Sequence, residues 1–156
     1  MGYNQPCQMS RQRSRRRGFT LIELLIVISI ILVIVAIAIP NGQKMLMSAH
    51  ETAAINEIKT IQQGQVQFYS QFGRYAVTLT ELGPPAAGVG ILPGSLAKGK
   101  KSGYLFTLTA TPTGYSLSAT PERFEGTGRR TFYADQELVI RNNWSSDPAT
   151  TASPEI

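Results

Sequence analysis

The segment over residues 19–39, FTLIELLIVISIILVIVAIAI, constrains the fold of this chain more than any other feature. Its 21 residues rise to roughly 31 Å as a helix, the thickness of a bilayer's hydrocarbon core. Isoleucine, leucine and valine occur all around that helix rather than along one stripe, as a segment surrounded by lipid or by other helices requires. Arg11, Arg13, Arg15, Arg16 and Arg17 stand just before it, with no acid among them. By the positive-inside rule the N-terminus stays cytoplasmic and everything beyond the apolar run is exported. The expectation is a single-pass chain facing outward.

The formal charge of +5 over 156 residues by itself invites a nucleic-acid partner. Setting aside the five leader arginines, however, leaves ten basic against ten acidic residues in 19–156. The basic excess belongs to the leader, and the remainder is near neutral. Phosphate contact would be sought at Lys98, Lys100 and Lys101 or at Arg129 and Arg130, but such groups are more often solvated surface, and nucleic acid is not an expected partner. Cys7 is the only cysteine and also lies in the leader, so residues 19–156 can form no disulfide. With His50 as the only histidine, there is no nucleophile beside a base and no cluster of acids from which to build a catalytic site. No enzyme, metal site or cofactor is expected.

Pro40, Asn41 and Gly42 each weaken a helix, and a kink or local melting is predicted there. Helical spacing then resumes over 41–75. Ile58, Ile61, Gln65, Phe68 and Phe72 share one face, while Glu51, Lys59, Gln63, Gln67 and Ser70 fall largely elsewhere. Gly73 is placed to end this amphipathic half in a left-handed conformation. Residues 76–102 are dense in glycine and proline and read as a connecting loop, with a short helical turn at Leu79–Leu82. Over 103–141 the alternation predicts strands at 104–109, 115–120, 131–134 and 138–141, with Tyr115, Leu117 and Ala119 pointing one way. Residues 142–156 read as a flexible tail. The fold class is α+β: a long N-terminal helix, its first half transmembrane over 19–40, packed on a small antiparallel sheet of about four strands.

The order Arg15-Arg16-Arg17-Gly18-Phe19-Thr20-Leu21-Ile22-Glu23 combines basic residues, a glycine, an aromatic and an acid inside an apolar run. It resembles the processing site of type IV prepilins and of type II secretion pseudopilins. The resemblance implies that residues 1–18 are a leader, that a membrane-embedded prepilin peptidase cuts between Gly18 and Phe19, and that Phe19 is then N-methylated. Glu23 stands out without any family, because a carboxylate inside an apolar helix costs about 2.5–3.5 kcal/mol on insertion scales. The resemblance implies a compensating partner, the amine of Phe19 on the same or a neighbouring subunit, whose attraction sets the register of one helix against the next as the filament assembles. The plainer alternative is that Glu23 reaches water at the interface. Pro40 resembles the family's helix-kink proline, and its plainer reading is the end of a transmembrane helix.

A second stretch, with Ile58, Ile61, Gln62, Tyr69, Phe72-Gly73-Arg74-Tyr75, Leu79, Glu81, Leu82 and Gly83, is similar to the helix end and first loop of pilins, and residues 104–140 look more loosely like their sheet. There are departures. The disulfide of many pilins is missing, and Asp135, Glu137 and Asp147 are too scattered among Arg129, Arg130 and Arg141 to read as the calcium site of some pseudopilins. Aromatics at helical spacing (Phe68, Tyr69, Phe72) read as core rather than as a conducting path, and Asn143-Trp144-Ser145 fits a glycosylation triplet that arises easily by chance.

What the resemblance implies is a structural subunit of a type IV pilus-like filament, held in the inner membrane before assembly and extracellular or periplasmic after it. Its partners would be identical or related pilin subunits, prepilin peptidase and an inner-membrane assembly platform. A pseudopilin of a type II secretion system is the alternative. A secreted or membrane-anchored binding domain is a second, with Ala36-Ile37-Ala38 as a possible signal-peptide cleavage site; against it stand the length of the apolar run and Glu23 at its start.

Overall fold

The computed structural model describes residues 18–84, 90–111 and 113–156, with the side chains of Pro40 and Asn41 left aside. Cys7 and the leader arginines lie outside the described residues. Contacts divide the chain into two compact units that meet between Ala38 and Ile39, and each is taken by itself.

One helix, α1 (Leu21–Phe72), contributes to both units. In the first unit every described residue is exposed, including the consecutive Leu24, Leu25, Ile26 and Val27, which point to four sides of the helix. Among the described residues α1 is the helix long and apolar enough to cross a membrane. Its one hydroxyl here needs no outside partner, since Ser29 Oγ donates to the Leu25 carbonyl at 2.8 Å. The helix continues through Pro40, Asn41 and Gly42, so the local melting expected there is absent. A proline removes a single hydrogen bond from the ladder, and long helical runs on either side carry the helix across that gap.

In the second unit α1 buries Ala54, Ile58, Ile61, Gln65 and Phe68. Phe72, expected on the same face, is exposed at the final turn and rests tilted on the Phe68 ring at 4.5 Å. Gly73 ends the helix with φ of +67°, its N–H donating to the Tyr69 carbonyl at 2.8 Å. That left-handed cap is the one the sequence predicts. The following segment forms the expected turn α2 (Leu79–Leu82) and two further elements, α3 (Gly94–Ala97) and the short strand β1 (Lys100–Lys101). Leu79, Leu82, Leu92 and Leu96 anchor this segment to the core. Apolar anchors spaced between turns carry no periodicity, which is why α3 and β1 were not legible.

Four longer strands follow: β2 (Tyr104–Thr111), β3 (Gly114–Pro121), β4 (Thr131–Asp135) and β5 (Ile140–Asn143). All five strands pair antiparallel in chain order. Phe106 faces Ala119 and Leu117 faces Ala134 across the ladders, so Tyr115, Leu117 and Ala119 do share the buried side with Phe132 and Ala134. The last strand starts two residues later than 138 because Leu138 takes φ of +64° in the β4–β5 turn. The segment from 144 onward is largely irregular but tied down. Asn142 N–H donates to the Pro154 carbonyl and Ile156 N–H to the Ile140 carbonyl, while Arg141 pairs with Glu155 at 3.0 Å.

Candidate functional site

Gly18, Phe19 and Thr20 precede the helix in irregular backbone, and Phe19 is 86% exposed. The Thr20 carbonyl accepts the first helical hydrogen bond, from Leu24 N–H at 3.2 Å, which makes Thr20 the N-cap. Thr20 and Glu23 then satisfy each other: Glu23 N–H donates to Thr20 Oγ1 at 3.3 Å, and Thr20 N–H to Glu23 Oε2 at 3.5 Å. Both bonds are long, but the pattern is a capping box. The carboxylate also meets the positive end of the helix dipole. Glu23 thus has a local role at the helix start beside the assembly role the resemblance implies, and its Thr-x-x-Glu signature is legible in the sequence. Gly18 is different. A Cβ built there meets nothing within 4 Å among the described residues, and no positive φ is required. Packing and backbone conformation therefore give no reason for a glycine at this position. Pro40 lies further along α1, within its continuous run, and takes no part in this constellation.

The second unit holds a polar arrangement that periodicity placed wrongly. Glu51, read as part of the outer face, is 5% exposed. Its carboxylate accepts from Arg129 N–H and from Arg130 Nε, both at 2.8 Å. Arg130 in turn lies over the rings of Phe132 and Trp144, 5.5 and 4.7 Å from their centroids. Beside it, Tyr104 hydroxyl donates to the Arg130 carbonyl at 2.9 Å. Burial, with the nearby Glu51 charge adding to it, pushes the Tyr104 phenol well above its ordinary value. Two of the other cations singled out for phosphate are likewise engaged, Lys101 with Glu57 at 2.6 Å and Lys100 with Glu122 at 3.0 Å, while Lys98 makes none of the ion pairs found among the described residues.

Gln65, fully buried, grips the backbone of one residue of the following loop, accepting from Ala76 N–H at 2.8 Å and donating to the Ala76 carbonyl at 3.0 Å. Asn143 Nδ2 is bonded to Ser145 Oγ at 2.9 Å and to the Asp147 carbonyl at 3.3 Å, so the amide of the glycosylation triplet is already in use. No group of three or more His, Cys, Asp or Glu that could hold a metal ion occurs among the described residues.

The family described as "Prokaryotic N-terminal methylation motif" matches residues 13–39. The chain is 41% identical over 76 residues to the "Type IV major pilin protein PilA" of Myxococcus xanthus, a match that covers 49% of this chain and 34% of that relative. The match thus spans about a third of the relative's length. No solved structure matches the chain.

Proposed function

We propose, on the premise of membership in the type IV pilin family that the methylation motif and the partial pilin match support, that this chain is a structural subunit of a type IV pilus-like filament. In this reading prepilin peptidase cuts between Gly18 and Phe19 and methylates the new amine of Phe19. The subunit waits in the inner membrane with its N-terminus cytoplasmic, then enters a filament of identical or related subunits built on a membrane platform. Its place is that of a component, not of a catalyst.

The observation that carries this reading is Gly18. It is a glycine in irregular backbone, next to an exposed Phe19, that neither packing nor φ calls for. A peptidase needs accessible, non-helical backbone at the bond it cuts, and with the helix starting at Leu21 the exposed Gly18 and Phe19 stand outside it. Glu23 supplies the second support. Cleavage creates a cation at Phe19, close in sequence to the one acid in the apolar run. Capping by Glu23 holds the carboxylate before assembly, and pairing with an amine replaces it afterwards. Pro40 serves as the kink position of a helix that stays continuous. The relative's own name, a major pilin, favours a pilus over the pseudopilus of a secretion machine.

Intact mass of the mature chain tests the reading. A polypeptide beginning at Phe19 and carrying one methyl group is expected; one beginning at Ile39 makes this a secreted domain. Glu23→Ala is expected to insert into the membrane as well as the wild type and to give no filaments, and undiminished filaments from this variant would sink the assembly role of Glu23.

A further inference from the structure

We propose that the second unit carries a knob and a groove through which one copy of this chain docks onto the next, with Phe124 and Glu125 of one copy entering the hollow between Lys59, Gln62, Val66 and Leu138 of its neighbour. The inference rests on the filament reading and names a contact within it.

The groove, of about 530 Å³, runs along the face of α1 that the sheet leaves uncovered and is walled on its other side by the β4–β5 turn. Its floor is apolar: Val66 and Leu138 are each about half exposed. Leu138 is held there by a left-handed backbone, φ +64°, that a leucine adopts at a cost. Gln62 is 5% exposed, yet its Nε2 finds no hydrogen-bond partner among the described residues. A buried amide donor without a partner is unfavourable and is satisfied when an acceptor such as a backbone carbonyl arrives. Lys59, at the end of the groove, is exposed and makes none of the ion pairs found among the described residues.

The β3–β4 loop has the matching features. Phe124 is 40% exposed, and beside it Glu125 makes no ion pair among the described residues. The loop is locked on itself: Gly126 and Thr127 N–H both donate to the Arg123 carbonyl, and Glu125 N–H donates to the Gly128 carbonyl. Glu125 sits at φ +59°, a second non-glycine residue in the left-handed region. An exposed ring on a preordered loop loses little freedom on docking. A phenyl ring fits the Val66–Leu138 floor, and the neighbouring carboxylate complements Lys59 at its end.

The two patches lie at different levels. The loop is anchored at Glu51 through Arg129, whereas Lys59 to Val66 lie roughly 12–23 Å further along α1 at 1.5 Å per residue. A contact between unlike patches displaced along an axis is heterologous, and repeated it builds an open helical array rather than a closed dimer.

The full chain expressed in its own host, in place of the wild-type gene, provides the test. Phe124→Ala, Lys59→Glu and Glu125→Lys are each expected to lower assembled filament on the order of tenfold at unchanged membrane levels. The double variant Lys59→Glu with Glu125→Lys restores assembly, a rescue that misfolding does not produce. The pair Val66→Cys with Phe124→Cys gives an oxidation-dependent ladder of cross-linked subunits in sheared filaments. Wild-type filaments with no ladder from the cysteine pair and no rescue by the double reversal overturn this contact alone, and the groove then serves another occupant. A wild-type chain that is not cut after Gly18 and forms no filament overturns the filament reading itself.

Discussion

Glu51 shows how one residue can hold two elements together. It brings a carboxylate from α1 to the start of β4, and with a side chain 7% exposed against 20% for Arg130 the pair is largely out of water. Replacing it with alanine strands a partly buried guanidinium and the Arg129 N–H, and is expected to destabilise the second unit by about 3 kcal/mol. Thermal melting of the detergent-solubilised chain checks this, with Glu57→Ala as a milder comparison at a more exposed pair. Gly73 is a smaller case. A Cβ there meets nothing within 4 Å, so the cost of Gly73→Ala comes from φ of +67° alone. About 1 kcal/mol is expected, seen as a modest drop in the same melting midpoint. The glycine was legible from its place after Phe72. Glu51 was not, because spacing along a helix identifies faces but cannot show that an acid on the margin of a face meets an arginine far away in sequence.

At the scale of elements, β5 is one edge of the sheet, opposite the two-residue β1, and would present unpaired backbone groups to other chains. The last residues cover it, through the Arg141–Glu155 bridge and the two backbone bonds that join Asn142 to Pro154 and Ile156 to Ile140. Removal of residues 153–156 is expected to lower the melting midpoint and to promote association of the purified chain, measured by light scattering; unchanged behaviour would mean that the edge needs no cover. A serine- and proline-rich tail gives no sign of this, since its bonds are made by backbone groups that every residue carries. The strands themselves were readable from alternation, with Tyr104 and Phe106 buried on one and Tyr115, Leu117 and Ala119 on the next. The two-residue β1 was not, being defined by its pairing with Tyr104 and Leu105 alone.

For the whole molecule, the core's chemistry sets a limit at high pH. Tyr104 and Tyr115 are fully buried, and burial is the first cause that raises both phenols above the ordinary value of 10.0. Tyr115 hydroxyl has no hydrogen-bond partner among the described residues. The folded chain therefore keeps protons that the unfolded chain releases above pH 10.0. Stability from these groups is complete below that value and drains away as the pH rises through the folded-state values. Tyrosinate absorbance and circular dichroism are expected to change together in alkaline titration, and early ionisation without unfolding would show the rings to be accessible.

By itself the sequence determined what depends on short stretches of chain. The apolar run, the basic residues before it and the methylation motif all lie within residues 11–39, and the proposed insertion, orientation and processing rest on them because lipid, the positive-inside rule and a peptidase all act on local sequence. The amphipathic half of α1, its glycine stop and the main strands follow from periodicity for the same reason. Only the tertiary structure decided which charges are paired, that Glu51 is inside and Phe72 outside, that the tail closes the sheet, and that a groove lies open beside Val66 and Leu138. Each of these depends on which distant residue arrives at a surface, and burial and pairing are properties of that meeting, which no single segment encodes.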